Sequence, residues 1–228
     1  MTVVDGTKLT RRRSIVGFGG FVLGLLGWRA ATSEGAGPAG VASGAVSCVL
    51  TPEQTEGPYY LAREKLRRDI TEGRPGVPLL LRLKVVNAST CRPIKGAAVD
   101  IWHADALGVY SGFGSGARSR TFMRGIQRTD GNGLARFRSV YPGWYRGRTV
   151  HIHVKVHVAG NVVHTGQLYF PDRITDRVFR RKPYSRRPRR STRNANDFVF
   201  AHGGRRSLLA LRKVGSAYVG SITMGVNV

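Results

Sequence analysis

The chain has 228 residues and a formal net charge of +24 at pH 7. This length is enough for one sizeable core, so a second domain is not required, and the sequence contains no cysteine-based zinc pattern. The positive field favours polyanions such as nucleic acid, cell-wall polymers or anionic phenolic material, and it concerns association rather than fold.

Residues 1–34 have the pattern of an export signal. Three arginines at positions 11–13 precede a short, glycine-rich apolar run over residues 15–28, and small residues follow. The run is too short to cross a bilayer comfortably, and adjacent arginines before a moderately apolar segment are typical of a twin-arginine signal. We therefore predict export by the twin-arginine route, with the ordinary secretory route as the alternative. Residues 35–47 are a predicted linker, and residues 48–228 form the predicted domain.

Cys48 and Cys91 are the only cysteines in the sequence. An even number of cysteines in an exported chain favours a disulfide. We predict that this bond ties the start of the domain to a loop before the second strand. Two reduced thiols are the alternative, and a thiol titration of the unreduced, denatured protein would reveal them.

The first half of the predicted domain contains loops and two strands. Residues 51–60 are bounded by proline and glycine and carry Tyr59 and Tyr60, which either line a pocket or pack against the core. Residues 77–87 alternate apolar and basic side chains, which predicts a half-buried strand, and residues 97–102 predict a second one. Residues 108–116 are too rich in glycine for regular structure, so Tyr110 is expected on a loop or a strand end.

The second half begins with a strong turn signal. The sequence Arg-Thr-Asp-Gly-Asn-Gly at 128–133 separates residues 122–127 from the alternating segment 134–140, which predicts a hairpin. In the next strand, residues 151–158, His151, His153 and Lys155 share one face, and four apolar side chains share the other. Further strands are predicted at residues 166–170 and 216–228.

The pattern as a whole predicts an all-β fold. No long segment between residues 77 and 170 has the 3.6-residue period of a helix, so we expect an antiparallel β-sandwich with long loops and little helix. Residues 173–193 carry ten basic residues against Asp176 alone, and we expect a charged surface excursion there. Only Phe179 and Tyr184 are interleaved for base stacking, so no specific nucleic-acid site is predicted. Non-specific contact of this segment with a polyanion stays open.

Tyr110, Tyr145, His151 and His153 can converge from three pieces of this β-structure. A His-x-His pair alone is a weak signal, because many strands carry two histidines and no ligand. Zinc usually takes imidazole, thiolate or carboxylate, and calcium takes oxygen ligands, so paired tyrosines are unusual for either. Phenolates suit a hard, highly charged cation, because a tyrosine pKa of about 10 has to fall before the phenol can ligate near neutral pH. Ferric iron meets this requirement.

The sequence around these residues resembles the intradiol ring-cleavage dioxygenases, the catechol and protocatechuate dioxygenase family. The resemblance rests on Tyr110 in Trp-His-Ala-Asp-Ala-Leu-Gly-Val-Tyr, on Tyr145 in Pro-Gly-Trp-Tyr, and on Arg148 three residues before His151-Ile-His153. It extends from about residue 51 to residue 172, and residues 192–197 resemble the exported members. It implies non-haem Fe(III) held by the two tyrosines and two histidines, with Tyr145 as the tyrosinate that a catechol displaces.

The resemblance also implies an activity. Such an enzyme opens a catechol-type ring with O2 between the two hydroxyl-bearing carbons and gives a muconate-type diacid, so a small aromatic diol and O2 would be its partners. Tyr145 would act as a base, and Arg148 would stabilise anionic character on the substrate. Gln167 resembles a family position beside the ligands, and Tyr59 and Tyr60 are candidate pocket residues. The alternative is a non-enzymatic exported β-sandwich module that binds polyanionic or cell-envelope material, and such a module needs no paired tyrosines.

Overall fold

The computed structural model describes residues 48, 50–62, 65–114 and 116–228. The chain divides into two units, residues 1–31 and 32–228, and every described residue belongs to the second. The predicted export signal and linker, residues 1–47, lie outside the described residues. No helix in the described part of the chain has the length and apolar character needed to span a membrane.

Eight strands form two four-stranded sheets. The strands are β1 (Pro78–Asn87), β2 (Ala98–Trp102), β3 (Arg124–Arg128), β4 (Leu134–Val140), β5 (His151–Val158), β6 (Asn161–Tyr169), β7 (Ala210–Val214) and β8 (Ala217–Val226). The first sheet, with strand order β4-β1-β8-β7, is called the open sheet, and the second, with order β3-β2-β5-β6, is called the site sheet. All neighbouring strands are antiparallel except β1 and β8, which run parallel. The predicted all-β sandwich is confirmed.

Helix is scarce, as predicted. The described residues contain two short α-helices, α1 (Asp172–Val178) and α2 (Phe198–Ala201), and three single 3-10 turns at Tyr184–Arg186, Asn194–Asn196 and Gly204–Ser207. All five follow β6 in the chain and precede β7, so they form one of the connections between the two sheets.

The core lies between the two sheets and follows from side-chain alternation. In β1 the odd-numbered residues, such as Leu79, Leu81 and Leu83, are buried, whereas Leu80 and Arg82 face solvent. Ile152 and Val154 of β5 belong to the same apolar cluster as the buried β1 residues. Because complete burial of such a side chain stabilises the fold by about 1.5–3 kcal/mol, this interior fixes the position of β5 and of the residues it carries.

The predicted hairpin across residues 128–133 is wrong. The turn itself forms, with the Gly133 N–H donating to the Asp130 carbonyl at 2.9 Å. However, β3 pairs with β2 in the site sheet, and β4 pairs with β1 in the open sheet. The chain therefore crosses between sheets at this turn, because a turn signal indicates a reversal of direction and does not specify the neighbouring strand. The sequence also missed β7 and the first residues of β6.

The basic segment 173–193 is more closely bound to the fold than the sequence predicts. The Arg190 side chain is only 3% exposed and donates to Asp172 and Asp176 at 2.6 and 2.7 Å. The Arg187 guanidinium lies 4.4 Å from the centre of the Trp144 ring. Part of the segment's positive charge is therefore structural, and contact of its remaining basic side chains with a polyanion stays a prediction.

A disulfide links Cys48 to Cys91, with the sulfur atoms 2.14 Å apart. Cys91 lies in the loop between β1 and β2. Leu50, two residues after Cys48, forms an isolated bridge with Gly225 of β8. The start of the domain is thus attached to the open sheet before the chain continues towards the site sheet.

Candidate metal centre

Four side chains from three segments meet on the outer face of the site sheet. His151 and His153 lie on β5, Tyr145 lies in the loop before β5, and Tyr110 lies in the loop after β2. The Tyr145 hydroxyl is 3.1 Å from His151 Nε2, which is itself 3.1 Å from His153 Nε2. The Tyr110 ring centre lies 5.7 Å from that of Tyr145 and 6.2 Å from that of His153. The structure therefore brings together the four residues that the sequence singles out.

The hydrogen bonds of this cluster show which atoms present lone pairs and which have no partner. His151 Nδ1 donates to the Thr149 carbonyl at 2.7 Å, so His151 Nε2 presents a lone pair to Tyr145 and His153. The Tyr110 hydroxyl and His153 Nδ1 are buried and have no hydrogen-bond partner among the described residues. Buried polar atoms normally have partners, and burial without one costs free energy. A cation held by the cluster would give the Tyr110 oxygen a partner.

Burial sets the protonation states of the cluster. Burial and the nearby positive charge of Arg148 lower the pKa of His151 to about 3, and burial lowers the pKa of His153 well below its usual value. Burial, with the adjacent Tyr145 phenol, raises the pKa of Tyr110 well above 10, and burial also raises the pKa of Tyr145. Both imidazoles are therefore neutral, as ligation requires, whereas the phenols keep their protons until a strong positive charge displaces them.

This donor set is selective for one kind of metal. Within the described residues, no group of three or more His, Cys, Asp or Glu side chains is placed to hold a metal ion. A cation at this cluster would therefore use the two phenol oxygens together with the two imidazole nitrogens. That combination fits a hard, highly charged ion such as Fe(III), and it differs from the usual ligands of zinc or calcium. The residues present fit ferric iron.

Aromatic rings cover the cluster. Trp102 of β2 is directly opposite His153 in the sheet, and their rings stack at 4.9 Å with an angle of 5° between planes. The Tyr59 ring stacks on Tyr110 at 4.3 Å. Tyr60 lies one ring further out, 4.9 Å from Trp102. The structure thus places Tyr59 against a candidate ligand and Tyr60 behind the stack that supports His153.

The loop that carries these tyrosines is attached to the site sheet. Gly57 has φ +71°, and a Cβ there would lie 3.1 Å from His153 Cε1, so the backbone approaches the imidazole as closely as glycine allows. The Lys155 ammonium forms an ion pair with Glu56 and lies 3.8 Å from the centre of the Tyr60 ring. Lys155 follows the two histidines on the same face of β5, so one strand orients the cluster and holds its cover.

Arg148 reaches the same region from the loop before β5. Its Nε donates to Asp197 Oδ2 at 2.9 Å, and its Nη2 donates to Gln167 Oε1 at 2.5 Å. Gln167 Nε2 donates in turn to the Thr55 carbonyl at 2.9 Å. Burial alone would lower the pKa of Arg148, but the hydrogen bond and charge of Asp197 outweigh it and raise the pKa. Arg148 therefore carries a permanent positive charge beside the cluster.

Sequence reasoning missed two members of this site. Trp102 appears in the sequence as the end of a strand and the first residue of the motif that ends at Tyr110, and its stacking on His153 depends on the register between β2 and β5. Asp197 lies 49 residues after Arg148. Its position before the apolar residues 198–200 is typical of a helix N-cap, and this signal indicates where a helix begins without naming the arginine that the side chain contacts.

Comparison with known proteins identifies the architecture. A family model described as Dioxygenase matches residues 55–183, more than half of the chain and the part that holds both tyrosines, both histidines and Arg148. The chain belongs to the intradiol ring-cleavage dioxygenase family. This confirms the resemblance noted in the sequence.

Curated relatives of this chain act on catechols by name. Catechol 1,2-dioxygenase 1 from Acinetobacter lwoffii is 34% identical over 101 residues, which cover 42% of this chain and 32% of that protein. Chlorocatechol 1,2-dioxygenase from Cupriavidus pinatubonensis is 30% identical over 148 residues, which cover 53% of this chain and 56% of that protein. The matched region is therefore less than two thirds of either relative.

Solved structures of intradiol dioxygenases cover more of the chain. The intradiol ring-cleavage dioxygenase from Tetranychus urticae has a TM-score of 0.73 at 36% identity, covering 79% of this chain and 95% of that one. The dioxygenase domain of a dioxygenase carbohydrate-binding protein fusion from Streptomyces sp. SirexAA-E has a TM-score of 0.61 at 33% identity, covering 78% of this chain and 99% of that one. The sandwich described above is thus the fold of this dioxygenase family.

Proposed function

We propose that the protein opens catechol-type aromatic rings with O2, between the two hydroxyl-bearing carbons, to give muconate-type diacids. In this proposal Tyr110, Tyr145, His151 and His153 hold Fe(III). The observation that carries it is the meeting of two phenols and two neutral imidazoles in a largely buried cluster, with the Tyr145 hydroxyl and His153 Nε2 each 3.1 Å from His151 Nε2. The names of the catechol and chlorocatechol 1,2-dioxygenase relatives support the substrate class.

Ferric iron, when bound, supplies a Lewis acid that ionises coordinated phenols and a coordinated catechol. The two tyrosines differ in what they can then do. Tyr110 is only 5% exposed and is stacked under Tyr59, so its ring is held in place. Tyr145 is partly exposed and comes from a loop rather than a strand. Tyr145 is therefore the phenolate that can accept a proton from the incoming diol.

Arg148 supplies the fixed positive charge. Its hydrogen bonds to Asp197 and Gln167 use Nε and Nη2, and neither uses Nη1. The side chain is 18% exposed, so in this proposal the guanidinium stays accessible to a ligand at the cluster. A guanidinium held in a partly desolvated site stabilises negative charge that develops on the ring oxygens as the bond between their carbons breaks.

The aromatic cover supplies a site with little water. Trp102 is fully buried against His153, and Tyr59 closes the side of Tyr110. Exclusion of water strengthens the electrostatic effect of Arg148 and limits side reactions with water. A non-enzymatic polyanion-binding module gives no reason for this buried set of phenols and imidazoles, so that alternative is not favoured.

Export also belongs to the proposal. Residues 1–34 carry the twin-arginine pattern, with Arg12 and Arg13 in the best register. Replacement of both by lysine should leave the protein inside the cell, and unchanged export in a fractionation experiment would refute the twin-arginine route.

Iron loading and turnover test the function together. Purified protein that has taken up Fe(III) should absorb broadly in the visible, shift its spectrum when catechol is added, and consume O2 as a muconate-type diacid forms. A folded protein that takes up no Fe(III) would sink the proposal. Tyr145→Phe should change the visible spectrum and slow turnover.

Two neighbouring arginines provide a matched pair for the same assay. Arg148→Ala should keep its iron and lose roughly 10²- to 10³-fold in kcat, the range for removal of one preorganised donor to a developing anion. Arg146→Ala, at an exposed position two residues away, should behave as wild type. Normal turnover by Arg148→Ala would show that its assigned role is wrong.

A further inference from the structure

We infer that Asp197 is a positioning residue for this reaction: it holds the guanidinium of Arg148 and the peptide N–H of Thr149, just before the histidine strand, in their working orientation. The inference rests on the proposed function, since it assigns a task to the anchor of a proposed catalytic residue. Asp197 also lies beyond the family match, which ends at residue 183. A segment outside the matched region thus completes the site.

Three hydrogen bonds converge on the Asp197 carboxylate. Oδ2 accepts from Arg148 Nε at 2.9 Å and from the Thr149 N–H at 2.7 Å. Oδ1 accepts from the Phe200 N–H at 2.8 Å and so caps α2. The side chain is 0% exposed. Each bond ties a different part of the molecule to one carboxylate: the arginine side chain, the lead into β5, and the helix.

Only a carboxylate satisfies all three donors. An asparagine at this position has a single acceptor oxygen, and its amide nitrogen donates rather than accepts. It must therefore abandon either the Phe200 N–H or the pair formed by Arg148 and Thr149. Charge is also required, because hydrogen bonds between ionised partners are roughly twice as strong as those between neutral ones.

The arrangement fixes the orientation of the guanidinium. An arginine side chain carries about 2 kcal/mol of rotamer entropy, so it adopts one orientation only when something holds it. Asp197 accepts from Nε and Gln167 accepts from Nη2. These two hydrogen bonds fix the direction of Nη1 without using it. Loss of the hydrogen bond to Asp197 would free the guanidinium to rotate about the side-chain bonds of Arg148.

A second path leads from Asp197 to the ligands. The Thr149 N–H donates to Asp197, and the carbonyl of Thr149 accepts the Nδ1–H of His151 at 2.7 Å. The side-chain hydroxyl of Thr149 also donates to Asn194 at 2.7 Å. Residues 194–197 therefore position the backbone carbonyl that decides which nitrogen of His151 carries the proton. Such outer partners typically change affinity or activity by about 10- to 100-fold.

The test uses two variants of Asp197 that separate the cap from the arginine contact. Asp197→Ser keeps a good N-cap for Phe200 and is too short to reach Arg148, whereas Asp197→Asn keeps the size and loses the charge. Both should retain stoichiometric iron and lose roughly 10- to 100-fold in kcat/KM. Asp176→Asn, which removes a partly exposed carboxylate that pairs with Arg190, is the control and should match wild type.

A double-mutant cycle shows whether the effect passes through Arg148. If Asp197 positions Arg148, Asp197→Ser should cause little further loss of kcat/KM in an Arg148→Ala background. An equal loss in both backgrounds would overturn the positioning of Arg148 by Asp197, because the loss would then not pass through the guanidinium. Wild-type kinetics in Asp197→Ser would overturn it as well.

A measurement on iron-free protein separates this inference from the proposed function. In ¹⁵N NMR spectra the Arg148 Nε–H should give a slowly exchanging signal in the wild type, and this protection should vanish in Asp197→Ser. That result supports the positioning role even if no catechol is turned over, in which case the proposed function alone fails. Protection that survives in Asp197→Ser overturns the positioning role even in an active dioxygenase.

Discussion

The two sheets of the sandwich share one core but differ on their outer faces. In the open sheet, β1 alternates strictly between buried and exposed side chains over its first six residues. In the site sheet, the first six residues of β5, from His151 to Val156, are all buried. The outer face of the site sheet is covered by residues 51–60, by the loops that carry Tyr110 and Tyr145, and by the segment that carries Asp197.

This difference shows where chemistry is possible in such a fold. An antiparallel sheet with one open face has to place polar side chains in water, and these contribute little beyond solubility. A sheet covered on both faces removes water from its polar side chains, so their protonation and hydrogen bonding are controlled by the protein. Long loops over one sheet, rather than the sandwich itself, create the site.

The largest expected effect concerns the shared core. Leu81 of β1 is 1% exposed and packs between the sheets. Leu81→Ala should lower the free energy of unfolding by about 2–5 kcal/mol, because it removes buried methyl groups and leaves a cavity. Chemical denaturation measures this, and a loss below about 1 kcal/mol would contradict the assignment of Leu81 to the interior.

The next effect concerns a buried histidine of the site sheet. His164 on β6 is 2% exposed, and burial lowers its pKa from 6.5 to about 4. A neutral His164 therefore contributes stability that is complete above pH 6.5 and is lost as the pH falls from 6.5 towards 4. The shift corresponds to roughly 3 kcal/mol in the acid limit. Wild type should thus lose stability relative to His164→Met over this range, and parallel stability curves would contradict the prediction.

A smaller effect is expected where the cover touches the cluster. Gly57→Ala places a side chain at φ +71° and 3.1 Å from His153 Cε1. The left-handed backbone alone should lower the free energy of unfolding by about 1–2 kcal/mol. The contact with His153 should also change the visible spectrum of the Fe(III) protein. Gly73→Ala has the same backbone angle, φ +72°, with nothing within 4 Å. It should cost similar stability and leave the spectrum unchanged; identical spectra for both variants would argue against contact between Gly57 and the site.

The smallest effect is expected on the open face. Arg82 is the exposed neighbour of Leu81 in β1, and it lies opposite Arg136 in the sheet. Arg82→Ala should change the free energy of unfolding by less than about 0.5 kcal/mol, because it removes one of two facing like charges and no buried contact. If Arg82→Ala lowered the free energy of unfolding as much as Leu81→Ala, the two faces of β1 would not differ as the structure indicates.

Local patterns in the sequence predicted much of this molecule. Alternation identified β1 and β5, and the short segment from Tyr145 to His153 contains three candidate ligands and Arg148 within one loop and strand. Such residues are close in space because they are close in the chain. Tyr110 was found because its motif resembles a family pattern, and its neighbours in space were not predictable from spacing.

Contacts between distant segments were not predictable. The hairpin prediction failed because strand neighbours are chosen by core packing, which the turn at 128–133 does not control. Asp197 was missed because its partner Arg148 lies in another element, and a buried carboxylate has the same sequence signature as an exposed cap. The aromatic stack of Trp102 on His153 depends on the register of two strands, which is settled only when the whole sheet forms.

The parallel pairing of β1 with β8 has a consequence for the order of folding. β8 lies between β1 and β7, and its residue Tyr218 is the partner of Leu79. The centre of the open sheet is therefore missing until β8 has been synthesised, and one edge of β1 stays unpaired for that time. Pairing over so long a stretch of chain is slow, so we expect the open sheet to be completed late in folding and the unpaired edge of β1 to need protection by chaperones until then.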